Sequence, residues 1–141
     1  MQKIILLSIV TFFSVSLAYG QSEDTKAIKA TIAAFAKAGD QNKVDVLAEY
    51  LDDNYRVVMN RLFGSKEVST MSKAIYLEKI RTKEFGGDQR SLTIKKLVIN
   101  GSTASAQVTF KGQKLTFVSV ITLVKDGTGK WKLVSDMPIV K

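Results

Sequence analysis

The 141-residue sequence contains no cysteine and no histidine. Without cysteine there can be no disulfide, thiolate zinc site, iron–sulfur cluster or cysteine nucleophile. Without histidine the commonest metal ligand and the commonest general base are missing, and a Ser-His-Asp triad is excluded. Proline occurs once, at Pro138, and tryptophan once, at Trp131. There are no repeats and no low-complexity tracts. No glycine-rich phosphate loop follows a strand pattern; Gly86-Gly87 and Gly127-Thr128-Gly129 read as turns. Apolar residues make up 45% of the chain and charged residues 24%, ordinary proportions for a single globular domain.

What is present begins with Met1-Gln2-Lys3 and an apolar, hydroxyl-containing run from Ile4 to Leu17, followed by Ala18-Tyr19-Gly20. A positive start, a short apolar stretch and a small-x-small end predict a secretory signal over residues 1–20. The run falls short of the roughly 20 apolar residues needed to span a bilayer. The product is therefore expected to be exported, periplasmic or secreted, with no transmembrane segment. The mature domain, residues 21–141, holds about 120 residues, enough to bury roughly two-thirds of its unfolded surface without covalent cross-links.

Ser22-Glu23-Asp24 suits a helix start, with Ile28, Ile32 and Phe35 forming one apolar stripe and Gly39 stopping the helix. Asp40 or Asn42 is expected to cap a second, shorter helix carrying Val44, Leu47, Ala48 and Leu51, which ends in a turn at Asp52-Asp53-Asn54. Tyr55 to Met59 reads as a short strand, followed by a polar loop around Gly64-Ser65-Lys66. Ser72 caps a third helix carrying Ile75, Tyr76, Leu77 and Ile80.

From Ser91 the period changes to two. Leu92–Ile99, Ser102–Lys111, Leu115–Val124 and Lys130–Val140 read as strands. Asn100-Gly101 suggests a type I′ hairpin turn. Leu115–Val124 is apolar on both faces, as a doubly covered central strand would be. In the last strand Trp131, Leu133 and Met137 alternate against Lys132, Val134 and Asp136, and Pro138 belongs near an edge or the strand's end. Segregated helices and a hairpin meander define an α+β fold: three N-terminal helices packed in the concave side of a strongly curved antiparallel sheet. Three helices leave part of such a trough unfilled, so an internal pocket is expected.

The segments Ile28–Phe35, Gly39-Asp40, Val44–Tyr50 and Leu51-Asp52-Asp53-Asn54-Tyr55 resemble the start of nuclear-transport-factor-2-like domains. Met71-Ser72-Lys73-Ala74-Ile75-Tyr76-Leu77 and Gly129-Lys130-Trp131-Lys132-Leu133-Val134 are similar to the branch named Putative lumazine-binding, also described as SnoaL-like. The resemblance implies a cystatin-like cone with an interior pocket, often paired through the outer sheet face as a homodimer. Ketosteroid-isomerase-like relatives carry an acid on the first strand and a tyrosine on the first helix. Here Arg56-Val57-Val58-Met59-Asn60 has no acid, and Ile32 and Phe35 stand where the tyrosine would be. Scytalone-dehydratase-like relatives use histidines, which this chain lacks.

No catalytic residue, metal site or cofactor is therefore assigned. Asp136, the only Asp inside a predicted long strand, is the one candidate acid: either solvated beside Lys132, or a pocket acid paired with Arg56 or Arg61. Tyr55, Met59, Tyr76, Phe110, Phe117 and Trp131 are the candidate ligand-binding residues, since a small domain walls its pocket with its core. The 21 basic residues against 13 acidic ones are spread along the chain, with no basic stripe interleaved with aromatics, so nucleic acid is not an expected partner. The sequence is read as an exported, non-catalytic protein binding a small apolar or aromatic ligand. Its alternatives are a structural or dimerisation module using the outer sheet face, or a lyase or isomerase using Asp136.

Overall fold

The computed structural model describes the backbone over residues 11–141 and the side chains from residue 19 onward. The start of the predicted export signal lies outside the described residues. Helix α1 spans Thr11–Asp40, α2 Val44–Glu49 and α3 Lys73–Arg81. The strands are β1 Leu51–Asn60, β2 Val68–Ser72, β3 Ser91–Asn100, β4 Thr103–Lys111, β5 Thr116–Lys125 and β6 Trp131–Val140. They form one sheet in the order β2-β1-β6-β5-β4-β3. Among the described residues no helix is long and apolar enough to cross a membrane.

The first helix does not open at Ser22. It runs without a break from Thr11, through Gly20, to Asp40. No proline interrupts this stretch, and Asp24, expected at a cap, is engaged elsewhere: its Oδ1 accepts from Lys125 Nζ at 2.8 Å and from Trp131 Nε1 at 2.9 Å. Thr31 Oγ1 adds a bond to Trp131 O at 3.4 Å. The early part of α1 is thereby held to the β5–β6 hairpin.

Gly39 does not stop the helix either. The left-handed residue is Asn42, with φ of 53°, and neither it nor Asp40 caps α2: the N-cap position is Lys43, with no side-chain hydrogen bond. Asn42 Nδ2 instead donates to Ile80 O and Phe85 O, each at 2.8 Å, so the α1–α2 turn grips the end of α3 and the loop beyond it. Ser72 does cap α3, its side chain accepting from Ile75 N.

β1 begins at Leu51, four residues before the expected strand. Asp52-Asp53-Asn54 forms a local Asx turn, with Asn54 N donating to Asp52 Oδ1 at 2.9 Å, inside a strand whose register against β6 shifts between Leu51 and Arg56. The pairing of β1 with β6 is parallel, so the sheet is mixed rather than wholly antiparallel. β2 was expected as part of a polar loop. Of its residues only Met71 is buried, and such a strand owes its existence to backbone pairing with β1, from Arg56↔Ser72 to Asn60↔Val68.

β3 to β6 form the antiparallel meander. Asn100 pairs with Thr103, so the turn residues are Gly101 and Ser102, one position later than the Asn-Gly motif suggests. Gly101 has φ of 60° while Ser102 does not have positive φ, the pattern of a type II′ turn. β5 is central but not doubly covered. Ile121 and Leu123 are fully buried on one face, whereas Val120 is 46% exposed on the other. Pro138 lies beyond the stretch of β6 paired with β1, which ends at Asp136, so its missing N–H costs no ladder bond on that side.

The core joins Ile28, Ile32 and Phe35 of α1 to Leu47, Ile80 and the inward residues of β4, β5 and β6. Each fully buried Leu or Ile contributes about 1.5–3 kcal/mol of transfer free energy. Asn42→Ala loses a left-handed preference and two bonds to buried carbonyls, and is expected to destabilise by about 2–3 kcal/mol. Asn42→Gly should recover only the conformational part. Chemical denaturation of the three proteins checks this.

Candidate functional site

β6 carries one more residue than β5 between Leu133 and Ser135: Leu123 pairs with Leu133, but Thr122 pairs with Ser135. This β-bulge, centred on Val134, reverses the parity of the strand. Before it, Trp131 and Leu133 face the core. After it, Asp136 faces the core, opposite fully buried Ile121, while Met137 turns outward and is 46% exposed. The simple alternation expected from the sequence had put Asp136 outside and Met137 inside.

Asp136 enters a half-open cavity of about 430 Å³, a size typical of small-molecule sites. The cavity is lined by Val57 and Met59 of β1, Met71 of β2, Tyr76 and Ile80 of α3, Phe110 of β4 and Phe117 and Ser119 of β5, together with Phe85, Arg90 and Pro138. At the rim, Phe63 is 74% exposed in a left-handed conformation, on the short 3₁₀ turn Leu62–Gly64 between β1 and β2. Lys83, Glu84, Asp88 and Lys114 also reach the cavity.

Away from this charged rim, at the inner end, Asp136 Oδ1, Ser119 Oγ and Tyr55 Oη are shielded from solvent and have no hydrogen-bond partner among the described residues. Burial lifts the Asp136 carboxyl to about 6; the nearby Ser119 hydroxyl and the Arg90 charge offset part of that rise. No hydrogen bond of acceptable geometry joins Ser119 to the acid, so desolvation prevails. The Tyr76 phenol is pushed up by burial and then by the Asp136 charge, and Tyr55 by burial, Tyr76 and Asp136. Both phenols therefore remain protonated donors at neutral pH.

Arg90 is held in place by two bonds. Its backbone N–H donates to Asp40 Oδ2 at 3.0 Å and its Nε to Asp40 Oδ1 at 2.5 Å, and the guanidinium carbon lies 4.8 Å from the Phe110 ring centroid. Asp40, at the end of α1, thus neutralises the one arginine lining the cavity. Gly86 has φ of 83°, and a Cβ there would come within 2.4 Å of Gly39 O, so the loop leading to Arg90 closes on α1 only with glycine.

Of the residues singled out from the sequence, the structure brings Met59, Tyr76, Phe110 and Phe117 together around the cavity. Tyr55 stands behind them, its ring 5.4 Å from that of Tyr76. Trp131 is apart from the cavity: it lies on β6 before the bulge, buried, and bonded to Asp24. Asp136 pairs with neither Arg56 nor Arg61. Arg56 is exposed on β1, Arg61 is exposed at the β1–β2 turn, and the cation that acts on Asp136 is Arg90. Ser119, Arg90 and Asp40 were not anticipated. Ser119 alone carried a readable signal, a small polar residue on the inward parity of an apolar strand.

A mixed six-stranded sheet with three helices and a cavity lined by β1, β2, α3 and the meander defines an α+β fold of the cystatin-like, nuclear-transport-factor-2-like type. The chain belongs to the family described as Putative lumazine-binding, whose profile matches residues 23–137. Among solved structures it is similar to a nuclear-transport-factor-2-like protein of unknown function from Silicibacter pomeroyi (16% identity, 86% of this chain and 98% of that one, TM-score 0.74). Another of unknown function, from Shewanella baltica, matches at 16% identity over 85% and 95% of the chains, with a TM-score of 0.74. A third, from Novosphingobium aromaticivorans, with a cystatin-like fold, matches at 14% identity over 94% and 92%, with a TM-score of 0.67. No curated protein matches the chain.

An acid raised to about 6 in the folded state binds a proton that the unfolded chain has already released between about pH 4 and 6, so its share of stability falls as pH rises through that window. Asp136→Asn should remove this loss. The variant is expected to be more stable than the parent by about 1–2 kcal/mol above pH 6, and to lose that advantage near pH 4. Thermal or urea unfolding across this range measures the difference.

Proposed function

We propose that the chain is an exported small-molecule-binding protein that takes a small apolar or aromatic ligand into this cavity without transforming it. Residues 1–20 act as the export signal and residues 21–141 as the binding domain, in the periplasm or outside the cell. The observation carrying the reading is a cavity walled by Met59, Tyr76, Phe110 and Phe117, with charged side chains at its rim and the shielded Asp136 and Ser119 at its inner end, a mainly apolar lining with a few placed polar groups. Three helices wedged into the concave side of a curved sheet account for the unfilled volume. The family's description supports a small ligand. Neither a cofactor, nucleic acid nor a membrane anchor enters this reading.

Met59→Trp would fill the cavity from β1. An apolar dye that fluoresces on leaving water should bind the parent, and Met59→Trp should weaken it by at least about tenfold, or about 1.4 kcal/mol, with an unchanged circular dichroism spectrum. Equal dye binding by both proteins would place the ligand elsewhere. Intact mass of the secreted product, beginning at Gln21, tests the export part.

Two observations favour additional readings. On the outer sheet face Val120 and Met137 are cross-strand partners, each 46% exposed, and Ile139 is 49% exposed; this supports a homodimer paired through that face. The elevated Asp136 acid beside two phenols supports a lyase or isomerase in its place, which recovery of a bound ligand with altered mass would distinguish from simple binding.

A further inference from the structure

Among the acids lining the cavity, Glu84 is paired with Lys79, and Asp88 accepts from the backbone N–H groups of Gln113 and Lys114. Inside, Arg90 is taken by Asp40 through two bonds. Asp136 remains, with a shielded oxygen that no group among the described residues bonds. A carboxylate taken out of water needs a cation or a proton. The groups facing it are Ser119 from β5, Tyr55 from β1, Tyr76 from α3, Arg90 ahead of β3 and, behind Arg90, Asp40 from α1. Apart from the neutralised Arg90, all of them offer oxygens. Aromatic rings of Tyr76, Phe85, Phe110 and Phe117 surround the remaining space. Oxygen acceptors at the end of an aromatic enclosure match an ammonium group on an apolar body.

We propose that the inner end of the cavity binds a protonated organic amine, its ammonium donating to Asp136 and Ser119 and its apolar body lying among Tyr76, Phe110 and Phe117. This rests on the cavity being the ligand site and adds the charge of the ligand. The bound ammonium takes the place of the proton that Asp136 otherwise holds below about pH 6. Amine binding therefore strengthens as pH rises through that value and then levels off. The amine itself keeps its charge throughout, as a lysine does.

Calorimetric titration with 2-phenylethylamine and with 2-phenylethanol, which share a carbon skeleton, separates the two layers of the reading. At about pH 7.5 the amine should bind the parent at least about tenfold more tightly than the alcohol, given the strength of charged hydrogen bonds and cation–π contacts. The preference should shrink at about pH 5, where Asp136 holds its proton. Asp136→Asn should abolish it while leaving the alcohol's affinity unchanged. Equal binding of both probes overturns the amine assignment and leaves the cavity reading standing. Failure of both probes, together with dye binding that Met59→Trp does not alter, overturns the two together. Should Asp136→Asn fail to fold, Ser119→Ala and the pH series on the parent protein decide: an unchanged amine preference in both overturns the proposal.

Discussion

One extra residue in one strand sets the chemistry of this protein. Without the bulge at Val134, β6 would continue the parity of Trp131 and Leu133. Met137 would then face inward and Asp136 would face water, leaving an apolar cavity with little to orient a ligand. With the bulge, a carboxylate enters a low-dielectric space where neither a full salt bridge nor a hydrogen bond compensates it. The raised acid follows from that, and its charge adds to the rise that burial gives the two phenols beside it.

The segments around the cavity are tied together by polar side chains. Asp40 fixes Arg90 at the end of α1, and Arg90 in turn lies against Phe110. Asn42 ties the turn after α1 to the end of α3 and to Phe85. Asp88 accepts from the backbone N–H groups of Gln113 and Lys114, joining the loop before β3 to the β4–β5 loop. These polar side chains come from loops and turns and reach across to other elements. Away from the cavity, Asp24 does comparable work for Trp131 and Lys125.

Much of the architecture was legible because it rests on local rules. The Ser72 cap, the α1 stripe Ile28–Ile32–Phe35 and the meander from Ser91 all follow from side-chain period and hydrogen-bonding preference. The misread helix ends share a cause: a residue with a strong local preference found a distant partner. Asp24, Asp40 and Asn42 each look like helix caps, and each is taken by a group far along the chain. β2 was illegible because Val68-Ser69-Thr70-Met71-Ser72 has no alternating pattern of its own, and only pairing with β1 makes it a strand.

The sequence by itself determined what kinds of chemistry were available. Lacking thiols and imidazoles, it left carboxylates, phenols, hydroxyls, amides and the Lys and Arg cations as the groups for a site. It also determined the helical and strand periods, because these depend on neighbours a few residues away. The tertiary structure decided which of those groups meet. Asp136 and Tyr76 lie sixty residues apart, and whether they face each other depends on a bulge and on a parallel pairing of first and last strands. Both are settled by competition among long-range contacts, which a period of two or of 3.6 does not encode.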